Sequence, residues 1–297
     1  MQKPGDLLGP MRIPFLVLPP VCVALGVGTA VWTGGEIDVL YLILAFLGGL
    51  AAHISVNALN EYFDFQSGLD FQTRPTPFSG GSGTLQANPG AARLALGTGL
   101  VSLAITGLIG IYFLAVWGPG LLPLGLLGLV LIATYTTWLT HQPFLCLVAP
   151  GLGFGTLMVM GTDFVLSGHY SWSAFFASLV PFFLVSNLLL LNQFPDVEAD
   201  RGVGRRHLPI LIGRRTSSFI YGAFLLGAYL SIVAGWALGF LPAASLLGLL
   251  TLAVAVPTAL NAYRHARDTE KLVPFMGLNV LITVVTPILV AVGLFIG

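Results

Sequence analysis

The chain has 297 residues, of which 56% are hydrophobic and only 8% are charged, and its 12 basic residues balance its 12 acidic ones. With a mean hydropathy of +0.91, this composition excludes an ordinary water-soluble globular protein. It also argues against nucleic-acid binding, because no polar region is both basic and rich in aromatic residues. Two cysteines, Cys22 and Cys146, without histidine partners predict neither a zinc site nor a disulfide framework, so we expect both to pack as small apolar side chains.

Several runs of about 20 residues are nearly free of charge and are long enough to cross roughly 30 Å of hydrocarbon as helices. We predict an all-α integral membrane protein in which residues 1–297 form a single transmembrane domain of nine helices around a central cavity. The third and fourth spans are separated only by the turn-like segment 117–120. The predicted spans are 12–32, 39–62, 92–116, 119–138, 144–164, 173–195, 216–239, 242–262 and 273–296.

The basic residues test this map, because Lys and Arg tend to remain on the cytoplasmic side of a membrane. If the N-terminus is cytoplasmic, all 12 fall on that side, and the outer loops contain only acids. We therefore predict a multi-pass protein of the cell membrane with two long cytoplasmic loops, 64–91 and 197–215. The basic residues sorted in this way are Lys3, Arg12, Arg74, Arg93, Arg201, Arg205, Arg206, Arg214, Arg215, Arg264, Arg267 and Lys271.

A short sequence motif, the phrase Leu-Asn-x-x-x-Asp, occurs twice, each time where a long apolar run ends. Residues 59–64 read Leu-Asn-Glu-Tyr-Phe-Asp, and residues 191–196 read Leu-Asn-Gln-Phe-Pro-Asp. The two phrases follow the second and the sixth predicted spans, so four helices separate equivalent positions. This spacing indicates two related halves of about four helices each with a ninth helix appended, and it predicts two similar sites on one membrane face.

The repeated phrases contain the ligands of a divalent metal. Positions four apart share a helix face, so Asn60 points with Asp64, and Asn192 points with Asp196 and Asp200. Carboxylate and amide oxygens suit Mg²⁺, which prefers one or two carboxylates together with phosphate oxygens of a substrate. We expect two facing clusters that each hold Mg²⁺ with a diphosphate between them; the alternative is that these acids only solvate helix ends. Further negative charge is expected from Glu61, Asp70 and Glu198.

Basic and glycine-rich segments lie in the same two loops. Arg205 and Arg206 follow Asp200, and Arg74 precedes the glycine-rich segment 79–84. Arginine forks and exposed backbone N–H groups both complement phosphate oxygens, although each arginine can equally serve to keep its loop in the cytoplasm. Tyr135 and His141, near the end of the fourth span, are candidates for contacting diphosphate or a second substrate, with interfacial anchoring as the alternative. His53, two turns before Asn60, either lines the same cavity or is a buried, hydrogen-bonded histidine.

At these residues the chain resembles the UbiA superfamily of intramembrane prenyltransferases. The resemblance covers the whole chain and is strongest at its two aspartate-rich motifs, 60–70 and 196–206. Within the superfamily, the spacing from Asp64 to Asp70 with Gly68 between them is most similar to the branch that prenylates dihydroxynaphthoate in menaquinone synthesis. The chain departs from the pattern of the superfamily or of this branch at Glu61, Arg205 and His207, where Asp, Lys and Thr are respectively more usual.

The resemblance implies a role for each matched residue. Asn60, Asp64, Asp196 and Asp200 would hold Mg²⁺ and the diphosphate, with Asn192 beside them. Asp70 matches the last acid of the first motif. The resemblance does not identify a base for the acceptor, and Asp70 is our own suggestion for it. Arg205 and Arg206 match the basic pair that follows the second motif.

The expected activity is Mg²⁺-dependent transfer of a polyprenyl group from polyprenyl diphosphate to an aromatic acceptor, with the active site opening toward the cytoplasm. A dihydroxynaphthoate-type quinone precursor is the favoured acceptor; hydroxybenzoate, homogentisate and a lipid ether are the alternatives. A cation-coupled transporter is the alternative from another class, because duplicated acids can also bind a transported cation.

Overall fold

The computed structural model of the protein describes residues 4–297, and every regular element in this range is helical. The predicted all-α class is confirmed. Lys3, one of the basic residues that orient the chain, lies outside the described residues. The helices are α1 (Pro4–Met11), α2 (Ile13–Trp32), α3 (Val39–Gln66), α4 (Thr84–Ala87), α5 (Pro89–Trp117), α6 (Pro119–Thr134), α7 (Pro143–Ser167), α8 (Trp172–Gly202), α9 (Leu208–Leu211), α10 (Arg214–Ala237), α11 (Ala243–Arg264) and α12 (Thr269–Ile296).

Eight helices in the described part of the chain are long and apolar enough to cross a membrane. They correspond to every predicted span except the fourth, 119–138. In its place lies the shorter helix α6, which ends at Thr134 and is followed by a turn over residues 135–138. The segment at this boundary is rich in Thr and Tyr, which are weak helix formers. At 1.5 Å per residue, α6 is about 24 Å long, which is less than the roughly 30 Å of a hydrocarbon core.

Polar side chains fix the beginnings of several long helices. The carboxylate of Asp38 accepts a hydrogen bond from the backbone N–H of Tyr41 at 3.0 Å, at the start of α3. Ser171 caps α8 in the same way through the N–H of Ala174 at 3.0 Å. These caps satisfy backbone donors that have no partner inside the helix, which is most valuable where the helix enters an apolar environment.

Helix α8 is the central helix of the bundle. In its most apolar 18-residue stretch 67% of the residues are buried, against 17% in the corresponding stretches of α3 and α5. Its close contact with α7 depends on small residues. A Cβ atom at Gly151 or Gly155 would collide with the backbone of Phe182 in α8. Close approach of backbones through glycine is a common way to hold helices together in lipid, where no hydrophobic force drives them together.

The two helices with the aspartate-rich motifs extend beyond their predicted ends. Helix α3 continues to Gln66 and α8 continues to Gly202, so Asp196 and Asp200 lie on the last turns of α8. The predicted loop 197–215 is therefore wrong in part, because its first residues are helical and α9 forms within it. The interior backbone of a helix finds its hydrogen-bond partners within the helix, so α8 continues through its polar last turns. Gly204, with φ of +83°, follows its end and leaves the regular conformation.

Among the described residues, four apolar clusters pack the bundle, and two of them are large. The larger of these two joins α8, α10, α11 and α12 around residues such as Leu184, Tyr221 and Met276. The smaller of the two joins α2, α5 and α7 around Val27, Phe113 and Phe164. A cavity of about 490 Å³ lies against both, lined by residues of α3, α5, α6, α7 and α8.

Candidate active site

The ends of α3 and α8 meet at one polar end of this cavity. From α3 and the segment after it, the cavity is lined by Asn60, Asp64 and Asp70. From α8 it is lined by Asn192, Asp196 and Asp200. The remaining lining is mainly apolar. The structure thus brings the two sequence phrases, which lie more than 130 residues apart, into a single site.

Arg205 joins the two acidic helix ends. Its Nη1 donates to Oδ1 of Asp200 at 2.9 Å, and its Nη2 donates to Oδ1 of Asp64. The three side chains are at most 15% exposed. Burial works against the positive charge, but the carboxylates of Asp64 and Asp200 outweigh it and raise the pKa of Arg205. One guanidinium group therefore contacts both helix ends. The gap between the two ends is small enough for a small cationic complex to bridge it as well.

Asp196 is held more loosely than the other two acids. Its side chain is half-buried, and its Oδ1 accepts a long hydrogen bond of 3.3 Å from Oγ of Ser79. Ser79 begins a glycine-rich segment in which Gly80 and Gly81 have φ of +91° and +76°. Both glycines line the cavity, so this loop covers the polar end beside Asp196. Consecutive backbone N–H groups in such conformations can form a concave anion site.

Asp70 lies below the same loop. It is on the short helical turn Leu69–Phe71, which begins after Gly68 in the left-handed conformation. Its Oδ2 is buried and has no hydrogen-bond partner among the described residues. Burial, followed by the negative charges of Asp64 and Glu61, raises the pKa of Asp70 to about 7. A cation beside Asp70 would reverse this shift.

Polar neighbours of the acids also line the cavity. Asn60 donates to Oγ1 of Thr136 at 3.2 Å, and its side chain lines the cavity. Oδ1 of Asn192 is buried without a partner in the described chain, so an acceptor atom is left free at the site. Tyr135, from the turn after α6, lines the cavity near these residues.

Other predicted residues are not brought to the cavity. Arg74 and Arg206 have exposed side chains and are absent from its lining. Arg206 lies between two inward-pointing neighbours, and alternate side chains of an irregular extended segment face opposite ways. Glu198 is exposed and pairs with Arg201 at 2.8 Å, one turn along the outer face of α8. The expected contribution of Glu198 to the site is therefore wrong.

Glu61 has a structural role in addition to its negative charge, which acts on nearby Asp70. Its side chain is fully buried, and its Oε1 accepts from Nε of Arg12 at 2.8 Å. The same carboxylate accepts from the backbone N–H and the Oγ of Ser82 at 2.7 and 2.9 Å. It therefore ties the chain before α2 and the glycine-rich loop to α3, and its charge is balanced by Arg12.

Two cavity residues, Arg12 and His207, were not assigned to the site from the sequence, and His53 was left with two possible roles. Arg12 lines the cavity but was used only to orient the chain, and a single cation before a first span gives no stronger signal. His207 lines the cavity and is 2.7 Å from Asp200 through its Nε2. His53 also lines it, packs edge-on against Phe154, and has a buried Nδ1 without a partner in the described residues. Of its two predicted roles, lining the cavity is therefore confirmed.

The donor set fits a divalent metal held jointly with a substrate. Among residues 4–297, no group of three or more His, Cys, Asp or Glu side chains is arranged to hold a metal ion by itself. The site nevertheless offers carboxylates from two helices together with the free amide oxygen of Asn192. Mg²⁺ is usually bound in this way, by one or two carboxylates and by phosphate oxygens.

Comparison with known proteins agrees with this geometry. Residues 17–282 match the model of the UbiA prenyltransferase family. The chain is 28% identical over 202 residues to the 1,4-dihydroxy-2-naphthoate octaprenyltransferase of Bacillus subtilis (strain 168), a match that covers 67% of this chain and 63%, or less than two thirds, of that protein. It is 26% identical over 236 residues to the digeranylgeranylglyceryl phosphate synthase of Thermococcus kodakarensis, which covers 75% of this chain and 78% of the relative.

Solved structures share the fold. A UbiA homologue from Archaeoglobus fulgidus bound to DMAPP and Mg²⁺ has a TM-score of 0.65 to this chain, at 13% identity, and the alignment covers 98% of this chain and 100% of that one. The architecture is therefore that of the family even where the sequences have diverged. The chain belongs to the UbiA prenyltransferase family.

Proposed function

We propose that the protein catalyses Mg²⁺-dependent transfer of a polyprenyl group from polyprenyl diphosphate to an aromatic acceptor. The observation that supports this most directly is that two acid-tipped helices from distant parts of the chain line one polar end of an otherwise apolar cavity. A polyprenyl diphosphate needs these two environments side by side, because its diphosphate is charged and its isoprenoid tail is apolar.

At the polar end, Asp64, Asp196 and Asp200 would hold Mg²⁺, with Asn60 and Asn192 beside them. When bound there with the diphosphate, a metal would neutralise charge on the leaving group and would lower the cost of breaking the allylic C–O bond. The protein contributes a rigid arrangement of these oxygens on two helix ends. Arg205, Gly80 and Gly81 line this end of the cavity, and the guanidinium and the two backbone N–H groups would donate to phosphate oxygens.

The apolar part of the cavity suits an isoprenoid chain. Asp64 and Leu44 both line it and lie on one helix. At 1.5 Å per residue, they are about 30 Å apart along α3, so the cavity follows nearly the whole thickness of a hydrocarbon core. Ile111 and Leu126 line it while remaining 65% and 53% exposed on the outer surface. A chain longer than the cavity can therefore continue into lipid between α5 and α6.

The same walls would protect the reaction. Ionisation of the allylic C–O bond places positive charge on carbon, which water would capture. Apolar side chains around the isoprenoid exclude water, and an electron-rich ring carbon of the acceptor then attacks the cation. Asp70, whose buried carboxylate has a raised pKa, is the proposed acceptor of the proton released from the ring.

We propose a dihydroxynaphthoate-type acceptor, with menaquinone synthesis as the setting. This proposal is supported by the spacing of Asp64 and Asp70 and by the named activity of the Bacillus relative. A lipid ether acceptor is the second candidate, because the Thermococcus relative is named a digeranylgeranylglyceryl phosphate synthase. Hydroxybenzoate and homogentisate complete the set to be tested.

We also propose that α6 makes a ninth, short crossing, that the N-terminus is cytoplasmic, and that the diphosphate end opens to the cytoplasm. The distribution of basic residues supports this orientation. It also disfavours a cation transporter, whose site usually lies near the middle of the bilayer. Here the acids are at helix ends and are paired with Arg205.

The test is turnover by purified protein in lipid nanodiscs. Radiolabelled polyprenyl diphosphate is supplied with Mg²⁺ and with each candidate acceptor in turn, and products are identified by mass spectrometry. We expect a prenylated naphthoquinone precursor that disappears with EDTA and with Asp64→Asn. No Mg²⁺-dependent product with any of these acceptors would overturn the enzymatic proposal, whereas a product with a different acceptor would correct only the substrate.

A further inference from the structure

His207 makes a buried hydrogen bond to one of the proposed metal-binding acids. Its Nε2 is 2.7 Å from Oδ2 of Asp200, and the two side chains are 2% and 3% exposed. An ionised carboxylate can accept but not donate a hydrogen bond, so Nε2 of His207 is the donor in this contact. Because Oδ1 of the same carboxylate accepts from Arg205, both oxygens of Asp200 have a defined partner.

The other ring nitrogen indicates what the histidine does. Nδ1 of His207 is buried and has no hydrogen-bond partner in the described chain. An unsatisfied buried polar atom costs free energy, so an apolar side chain would fill this space more cheaply. The contact with Asp200 is therefore the polar interaction that justifies a histidine at this position.

The backbone around His207 holds the ring in place. The N–H of Arg206 donates to the carbonyl of Thr140 at 3.2 Å, and the carbonyl of His207 accepts from the N–H of Ile210 at 3.1 Å. The ring is thus fixed between the turn after α6 and the start of α9. Asp196 provides the contrast, since its hydrogen bond from Ser79 is long and its side chain is half-buried.

We propose that His207 is a positioning residue, whose imidazole holds the carboxylate of Asp200 in the orientation in which it serves the metal and diphosphate site. This inference rests on the proposed function. Carboxylates that bind metals are commonly oriented by such outer partners, and loss of the partner typically reduces metal affinity or activity about 10- to 100-fold.

The experiment compares His207→Gln with His207→Leu. A glutamine amide can donate from nearly the position of Nε2, whereas leucine has similar bulk and no donor. We measure binding of Mn²⁺ by electron paramagnetic resonance in nanodiscs with saturating pyrophosphate, because the site holds a metal jointly with a diphosphate, and then the Mg²⁺ concentration for half-maximal turnover. We expect His207→Leu to weaken Mn²⁺ binding and to raise the Mg²⁺ requirement by about 10- to 100-fold, while turnover at saturating Mg²⁺ falls much less. His207→Gln should stay close to wild type in both.

A role in packing alone predicts a different result. In that case His207→Gln and His207→Leu would change thermal stability but leave Mn²⁺ affinity equal to that of the wild type, and the inference would be overturned. If His207→Leu does not fold, His207→Asn replaces it, because its shorter amide lies near Nδ1 and cannot reach Asp200. Failure of the wild type to bind Mn²⁺ in the presence of pyrophosphate would instead remove the metal site itself, and the role of His207 with it.

Discussion

Arg205 occupies the space between the two acidic helix ends, so its replacement should affect cations and anions in opposite directions. In Arg205→Gln, the buried carboxylates of Asp64 and Asp200 lose their shared cation. Removing one partner of a buried ion pair typically costs about 3–5 kcal/mol, because a charge is left uncompensated. A divalent metal can supply that compensation. We therefore expect Mn²⁺ alone to bind more tightly to the variant than to the wild type and to restore much of its lost stability.

Diphosphate should bind less tightly to the same variant. Hydrogen bonds to charged groups contribute about 1.5–3 kcal/mol, and each 1.4 kcal/mol corresponds to about a tenfold change in affinity. Loss of the guanidinium fork should thus weaken binding of Mg²⁺-pyrophosphate by about 10- to 150-fold. Isothermal titration calorimetry with pyrophosphate and electron paramagnetic resonance with Mn²⁺ measure the two effects without turnover.

Arg206→Gln is the matched control, because Arg206 is the exposed neighbour of Arg205 and does not line the cavity. It removes the same charge from the same loop and should leave both affinities within about threefold of the wild type, as expected of a screened surface charge. If Arg205→Gln and Arg206→Gln behave alike, or if Mn²⁺ and pyrophosphate affinities fall together in Arg205→Gln, the bridging role of Arg205 is wrong.

Three further predictions concern the acids and the glycine-rich loop. Asp64→Asn should lower turnover by at least about 100-fold while the protein stays folded, and Glu198→Gln, on the outer face of α8, should not; equal turnover in both would remove Asp64 from the site. Gly81→Ala should raise the KM for the prenyl diphosphate more than Gly83→Ala, because both have positive φ but only at Gly81 would a Cβ lie 3.0 Å from Oδ1 of Asp70; similar KM values would show that strain alone matters. The pKa of Asp70 is raised to about 7, so the folded protein without ligand holds a proton that the unfolded chain releases near pH 4. Thermal stability should therefore fall as pH rises from about 4 to 7. Asp70→Asn should flatten that slope, and an unchanged slope would assign the effect to other groups.

Much of the fold could be predicted because lipid imposes a simple rule on the sequence. Apolar runs of about 20 residues must be helices in a membrane, and eight predicted spans correspond to helices of the structure within a few residues, apart from the extended end of α8. The errors occur where the rule does not apply. Helix α8 continues to Gly202 although its last turns are polar, and α6 is short although its predicted run included residues 135–138.

The acids of the site were predictable for a different reason, which is repetition. The pattern Leu-Asn-x-x-x-Asp occurs at the ends of two equivalent helices. It identifies Asn60, Asp64, Asn192 and Asp196 without any knowledge of their contacts. The structure adds that they line one cavity.

Contacts that occur only once and join distant residues produce no repeated pattern in the sequence. Arg12 reaches Glu61 from 49 residues away, and Arg205 reaches Asp64 from 141 residues away. His207 contacts Asp200 over only seven residues, but the contact depends on a turn that the sequence does not specify. Which of two adjacent arginines points inward is likewise decided by this turn, and the sequence alone treated Arg205 and Arg206 as equivalent.

The central claim is that the two acidic helix ends together bind a metal-complexed diphosphate. Crystals grown with Mn²⁺ and an unreactive thio analogue of a prenyl diphosphate, measured at the manganese absorption edge, test it most directly. We expect anomalous peaks between α3 and α8, each within about 2.0–2.3 Å of a carboxylate oxygen of Asp64, Asp196 or Asp200 and of a diphosphate oxygen. A diphosphate bound elsewhere, or manganese bound away from these three carboxylates, would contradict the claim.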